Sequence, residues 1–153
     1  MDKLEELWAR EQIRDHLHRY CKGIDRRDWP LVRSCFADDH VHSHGEFTGP
    51  PDAFIGFASA LLELIPATHH SITNVHFDFS PDGKSVKTEA NFVAYHLIEA
   101  GHVEGLPVPT EGKATDWIVA GRYCDTFEKR DGSWIIVKRQ AVHDWERYDP
   151  ARG

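Results

Sequence analysis

After Pro66 the spacing of apolar residues changes, and that one break limits the architectures open to the chain. Upstream, Leu4, Leu7, Trp8, Ile13, Leu17, Tyr20, Cys21 and Ile24 recur mostly at three- and four-residue steps, which predicts one apolar stripe on a long helix over residues 3–24. Downstream, "HHSITNVHFDFS", "SVKTEANFVAYHLIEA", "TDWIVAGRYCDTFEKR" and "SWIIVKRQAVHDWERY" are long runs rich in Val, Ile, Thr and aromatic residues, as strands are. Two of the breaks between them, "PDGK" and "RDGS", are tight-turn sequences, so the strands they join are expected to be antiparallel neighbours. The third, residues 101–113, holds Gly101, Gly105, Pro107, Pro109 and Gly112 and reads as a mobile loop at a sheet end, a candidate lid.

The first part of the chain divides at recognisable stops. Gly23 lies near the end of the long helix. Asp28 precedes "WPLVRSCFA" as an N-cap with Pro30 in the first turn, which predicts a short second helix. A third helix is read over residues 51–65, and "DHVHSHGEFTG" between the two is a further short strand. Three helices ahead of a strongly curved antiparallel sheet make an α+β domain. Strands this long do not stay flat, and a sheet curled around helices forms a conical barrel with an apolar interior, a natural small-molecule pocket. With 153 residues and no repeat or linker, residues 1–153 read as one domain.

Composition narrows the class of partner. Lys plus Arg number 18 against 25 Asp plus Glu, with no basic run, which argues against nucleic acid. Three scattered cysteines without a CxxC spacing suit a reducing cytoplasm. The start "MDKLEELWAR" is charged from its second residue, unlike a signal peptide, and no apolar run approaches the roughly 20 residues of a membrane span. P-loop, GxGxxG, GxSxG and HExxH patterns are missing, so nucleotide, hydrolase-elbow and zincin chemistries find no support.

Several residues remain as candidates for chemistry. Asp28 has the capping position, which leaves Asp25 without an obvious structural task. In "ATHHSITN", strand alternation sends His69 and His70 to opposite faces, and alternation alone does not say which enters the cone. A histidine in an apolar pocket beside a carboxylate is a competent base near neutral pH. Arg139, expected on one strand face with Ile135, Val137 and Ala141, needs a carboxylate or a ligand to compensate its burial, and a structural ion pair serves as well as a ligand role. His40, His42 and His44 share one strand face but span about 13 Å and lack a supporting ligand. A polar sheet face or a subunit contact is therefore expected of them, and no metal. Tyr20 is a core residue whose hydroxyl could reach a pocket.

Together "IRDHLHRYCKGIDRRDW", "FADDHVHSHGEFTG", "HHSITN", "GRYCDTFEKRDGSWIIVKR" and the closing "HDW" resemble the SnoaL-like branch of the nuclear-transport-factor-2-like superfamily over nearly the whole chain. The similarity is greatest to its eliminating members, the dehydrochlorinases and dehydratases. It implies a conical α+β barrel, a homo-oligomer with a trimer favoured over a dimer, and no metal or organic cofactor. By position, Asp25 matches an aspartate that orients a catalytic histidine, His70 matches that histidine, Arg139 a cavity arginine and Tyr20 a catalytic tyrosine. The region of Phe92, Val93 and Ala94 is apolar where a bile-acid dehydratase would carry a second aspartate, which argues against a bile acid. The resemblance implies a lyase that removes HX, most simply water, from a hydrophobic small molecule. Trp8, Phe54, Leu61, Phe92, Trp117, Val119 and Tyr123 are the expected cavity lining. The alternatives are an isomerase or cyclase working in the same pocket, and a non-catalytic binding domain.

Overall fold

The computed structural model describes residues 2–100 and 113–150, so the expected lid lies almost wholly outside the described residues. Helix α1 runs Lys3–Arg26 and opens on a capping box in which Asp2 and Glu5 satisfy each other's backbone N–H groups. Its buried face is Ala9, Ile13, Leu17, Tyr20 and Ile24. Trp8, expected in the cavity, is instead 64% exposed. The reason is helical phase: Ala9 stands four residues before Ile13, and Trp8, five before it, is rotated off that face.

The helix ends two residues later than its stripe suggested. Arg27 takes a left-handed conformation at φ 56°, and the Asp28 N–H donates to the Gly23 carbonyl at 2.9 Å. Asp28 then caps α2, Trp29–Ser34, accepting the Leu31 N–H. Gly23 is required by packing, since a Cβ there would lie 2.7 Å from the Val32 side chain. The second helix thus rests directly against the end of the first.

Six strands follow or intervene: β1 Phe36–His44, β2 Phe47–Gly49, β3 Ala67–Phe79, β4 Ser85–Ile98, β5 Thr115–Arg130 and β6 Ser133–Pro150, with α3, Pro51–Glu63, between β2 and β3. Their order in the sheet is β2-β1-β6-β5-β4-β3. The expected hairpins form, and Asp131 and Gly132 both have positive φ, as a two-residue turn between twisted strands requires. The sheet is curved, mixed and not closed: β1 pairs parallel with β6, the one departure from the antiparallel expectation. The predicted short strand before α3 is a hairpin of two strands. The core lies between the concave face of the sheet and the three helices, built on Ile13, Leu17, Phe54, Ile65, Phe127 and Ile136.

Bulges set which side chains enter the concavity. Opposite Thr126 and Phe127, β6 carries an extra residue, Val137, so Trp134, Ile136, Arg139 and Ala141 point inward. Arg139 therefore lies with Ile136 and not with Ile135 and Val137, as strict alternation had suggested. Gly121 permits the bend of β5, because a Cβ there would meet the Val142 carbonyl at 2.0 Å and the Phe92 ring at 2.9 Å.

Candidate active site

The end of α1 and the start of β3 meet through one carboxylate. Asp25 Oδ1 lies 2.7 Å from His70 Nδ1 and accepts the Thr68 hydroxyl at 2.9 Å, while Oδ2 accepts the His70 backbone N–H at 2.9 Å. Burial would raise the Asp25 pKa, but these hydrogen bonds from His70 and Thr68 outweigh it and hold the carboxyl below its ordinary value. An ionised Asp25 accepts the His70 Nδ1–H, so the lone pair of the imidazole is on Nε2. Arg27 braces the arrangement: its guanidinium donates to the Thr68 hydroxyl at 2.8 Å and to the Ile65 carbonyl at 2.7 Å. The left-handed turn that ends α1 thereby fixes the start of β3.

His70 opens onto a cavity of about 650 Å³ between the sheet and the helices. Of the expected lining, Phe54, Leu61, Phe92, Trp117, Val119 and Tyr123 are present, together with Tyr20. His69 is exposed on the opposite face, which answers the question that alternation left open. Tyr20 is buried against Tyr123 and Phe36, and burial pushes its hydroxyl up to about 12, so it stays protonated.

Arg139 does not reach this lining. It is fully buried and bound bidentately to Asp125, with both N–O distances 2.7 Å. Its guanidinium lies 4.2 Å from the centre of the Tyr20 ring and 4.3 Å from that of Tyr123, so the two tyrosines stand between it and the cavity. The expected ligand-stabilising arginine is thus a structural ion pair behind two lining rings. Its partner Asp125 was legible only through the β5–β6 register, which sets the two residues directly opposite.

The three β1 histidines also depart from expectation. His40 and His42 are buried in the core and His42 stacks on Phe54 with centroids 3.5 Å apart, so they form no outer polar face. Burial lowers His40 to about 4 and His44 to about 3, which keeps both neutral. Among the described residues no group of three or more side chains is placed to hold a metal ion.

Polar lining residues passed over in the sequence are His96, His143, Glu146 and Tyr148, and His44, expected on a polar sheet face or a subunit contact, lines the cavity with them. His96 lies two residues past the β4 partner of His70, donates through Nδ1 to the Trp117 carbonyl at 3.1 Å, and stacks on the Trp117 indole. Since a carbonyl only accepts, that Nδ1 carries a hydrogen. Its alternation with Ala94 and Phe92 along β4 was the available signal.

Comparison with known proteins agrees with this architecture. The model of the SnoaL-like domain matches residues 5–140. The γ-hexachlorocyclohexane dehydrochlorinase of Sphingobium indicum is 24% identical over 148 residues, covering 95% of this chain and 86% of that protein. The crystal structure of hexachlorocyclohexane dehydrochlorinase LinA-type3 from Novosphingobium barchaimii superposes with a TM-score of 0.79 at 21% identity, over 99% of this chain and 96% of that one. A putative scytalone dehydratase from Novosphingobium aromaticivorans superposes with a TM-score of 0.74 at 21% identity, over 97% and 91%.

Proposed function

The chain belongs to the SnoaL-like family of the nuclear-transport-factor-2-like superfamily, and from that premise we propose that it is a lyase, a dehydratase-type enzyme that eliminates HX from a hydrophobic small molecule. The observation that carries the reading is the Asp25–His70 hydrogen bond at the wall of an apolar cavity, which occupies Nδ1 and leaves Nε2 as the nitrogen that can act. His70 takes a proton from carbon and becomes an imidazolium. Asp25 stabilises that cation and holds the tautomer that can accept. Tyr20, on the lining and protonated, donates a hydrogen bond to the departing group. Arg139 acts through the two rings it underlies, as a positioning residue for Tyr20 and Tyr123. The dehydrochlorinase and dehydratase relatives support elimination over other chemistries of this fold.

The test is a product mass. Purified protein is incubated with γ-hexachlorocyclohexane and, separately, with cyclic β-hydroxy ketones. Loss of HCl or water from any of them supports the reading. An unchanged mass with a rearranged hydroxy ketone would replace it with an isomerase, and tight binding without turnover would replace it with a binding domain. We further propose a cytoplasmic homo-oligomer, with a trimer favoured, whose contact is the outer sheet face that exposes Tyr95, Leu97 and Trp145.

A further inference from the structure

The convex face of the sheet changes character from one edge to the other. In register, His69 on β3 lies beside Tyr95 on β4, Ile118 on β5 and Arg147 on β6, and the adjacent row sets Leu97 beside Asp116 and Asp149. Tyr95, Leu97 and Trp145 are exposed, so the middle of this face is apolar and open. Its β6 side is acidic. Asp116 and Asp149 stand directly opposite each other, an unfavourable pairing of like charges, and of the two only Asp149 has a cation among the described residues, Arg147 at 2.7 Å. The pairing of β1 with β6 ends at Ala141, so beyond that residue β6 is a free edge among the described strands.

The β3 side is basic. A groove of about 550 Å³ runs between the C-terminal half of α1 and β3, and His18, Lys22, Arg26 and His69 line it. His18, Lys22 and Arg26 follow at four-residue steps, which places them on one line along the helix. All four side chains are exposed, and none makes an ion pair or hydrogen bond among the described residues. Of the other described arginines, Arg27 is spent on Thr68 and backbone carbonyls, and the rest each meet a carboxylate. A helix C-terminus favours cations beside it but supplies no counter-ion for them.

The groove also touches the chemistry. Asp25 and His70 line it, and His70 lines the cavity as well, so the dyad stands between the two. The Asp25 carboxylate is itself engaged by His70 and Thr68.

One face thus carries a cationic edge, an apolar centre and an acidic edge, and each edge lacks what the other has. Such a face complements a second copy of the same chain, the cationic edge of one meeting the acidic edge of the next around a closed ring. We propose that the neighbouring copy's Asp116, with Asp149 beside it, enters the groove between α1 and β3 and pairs with Lys22 and Arg26. The next subunit then walls off each Asp25–His70 pair from outer solvent, and the active site is incomplete in a lone chain. This pairing rests on the outer-face contact proposed above and not on the lyase reading.

The test is a charge swap, read by light scattering of the purified full-length protein over a range of concentrations. Wild type is expected to assemble. Asp116→Lys should raise the concentration at half-assembly by about tenfold or more, and so should Lys22→Glu with Arg26→Glu, since each puts like charges in contact. All three substitutions together should bring it back to within about threefold of wild type. Circular dichroism checks that each variant is folded. If Asp116→Lys is not, salt decides on the wild type: added sodium chloride should raise the half-assembly concentration, and no rise would overturn the pairing. Unchanged assembly in Asp116→Lys, or a triple variant no better than its parents, would overturn the pairing and leave the outer-face contact to stand on Trp145→Glu. A wild-type monomer at every concentration would overturn both. Assembly with the predicted swap but no elimination retains the pairing and rejects the lyase reading.

Discussion

Asp25 shows how a residue with an ordinary helix-end address acquires a different task. Asp28, two residues past the helix, satisfies the α2 N-terminus, and Asp25 is free to turn toward β3. That division was legible in the sequence, because only Asp28 directly precedes a Pro-containing first turn. The choice between His69 and His70 was not, since the phase of a strand needs an external reference, and here Asp25 supplies it. Thr68 is the further prediction at this scale. Its hydroxyl donates to Asp25 while accepting from Arg27, so Thr68→Val should leave the fold and reduce turnover several-fold, measured as kcat on any substrate found. An unchanged kcat would mean that Asp25 is held by His70 alone.

At the scale of elements, the bulge at Val137 decides the fate of Arg139. Strict alternation from "WIIVKRQAV" misassigned its neighbours, and no local pattern could have found Asp125, which register alone brings opposite. The pair is fully buried, and removing one member leaves an uncompensated charge in a medium that solvates it poorly. Asp125→Ala is expected to cost about 3–5 kcal/mol, read from urea unfolding, and a loss below about 1 kcal/mol would show that the guanidinium finds another partner. His44 and His143 illustrate the same limit. They are 99 residues apart and meet because β1 pairs parallel with β6, a connection that turn sequences do not reveal. The hairpins β3–β4 and β5–β6 were readable because their pairing is local.

At the scale of the whole molecule, five histidines among the described residues sit where protonation is resisted: His16, His40, His42, His44 and His96. Burial is the main cause in each, placing His16, His40 and His96 at about 4 and His44 at about 3. Their folded pKa values lie below the unfolded value of 6.5, so the unfolded chain binds more protons and acid favours it. Stability should therefore fall as the pH drops from about 6.5 toward 4, by up to about 1.4 kcal/mol per pH unit for each histidine. Urea midpoints measured across that range check it, and a flat profile would mean that these rings admit a proton while folded. Asp25, lowered by its hydrogen bonds, adds a further loss below its unfolded pKa. The outer sheet face belongs to this scale as well. If it is the proposed contact, light scattering should give a trimer for the wild type and a monomer for Trp145→Glu, and a wild-type monomer would reject it.

The central claim is that His70, poised by Asp25, is the base that removes a proton from carbon. Its most direct test is kcat for His70→Ala against wild type on a substrate whose elimination product has been identified by mass, with thermal unfolding measured alongside. The account predicts a loss of about 10²–10⁴-fold at a nearly unchanged melting temperature. Wild-type turnover in a folded His70→Ala protein would contradict it and move the chemistry to another residue of the cavity.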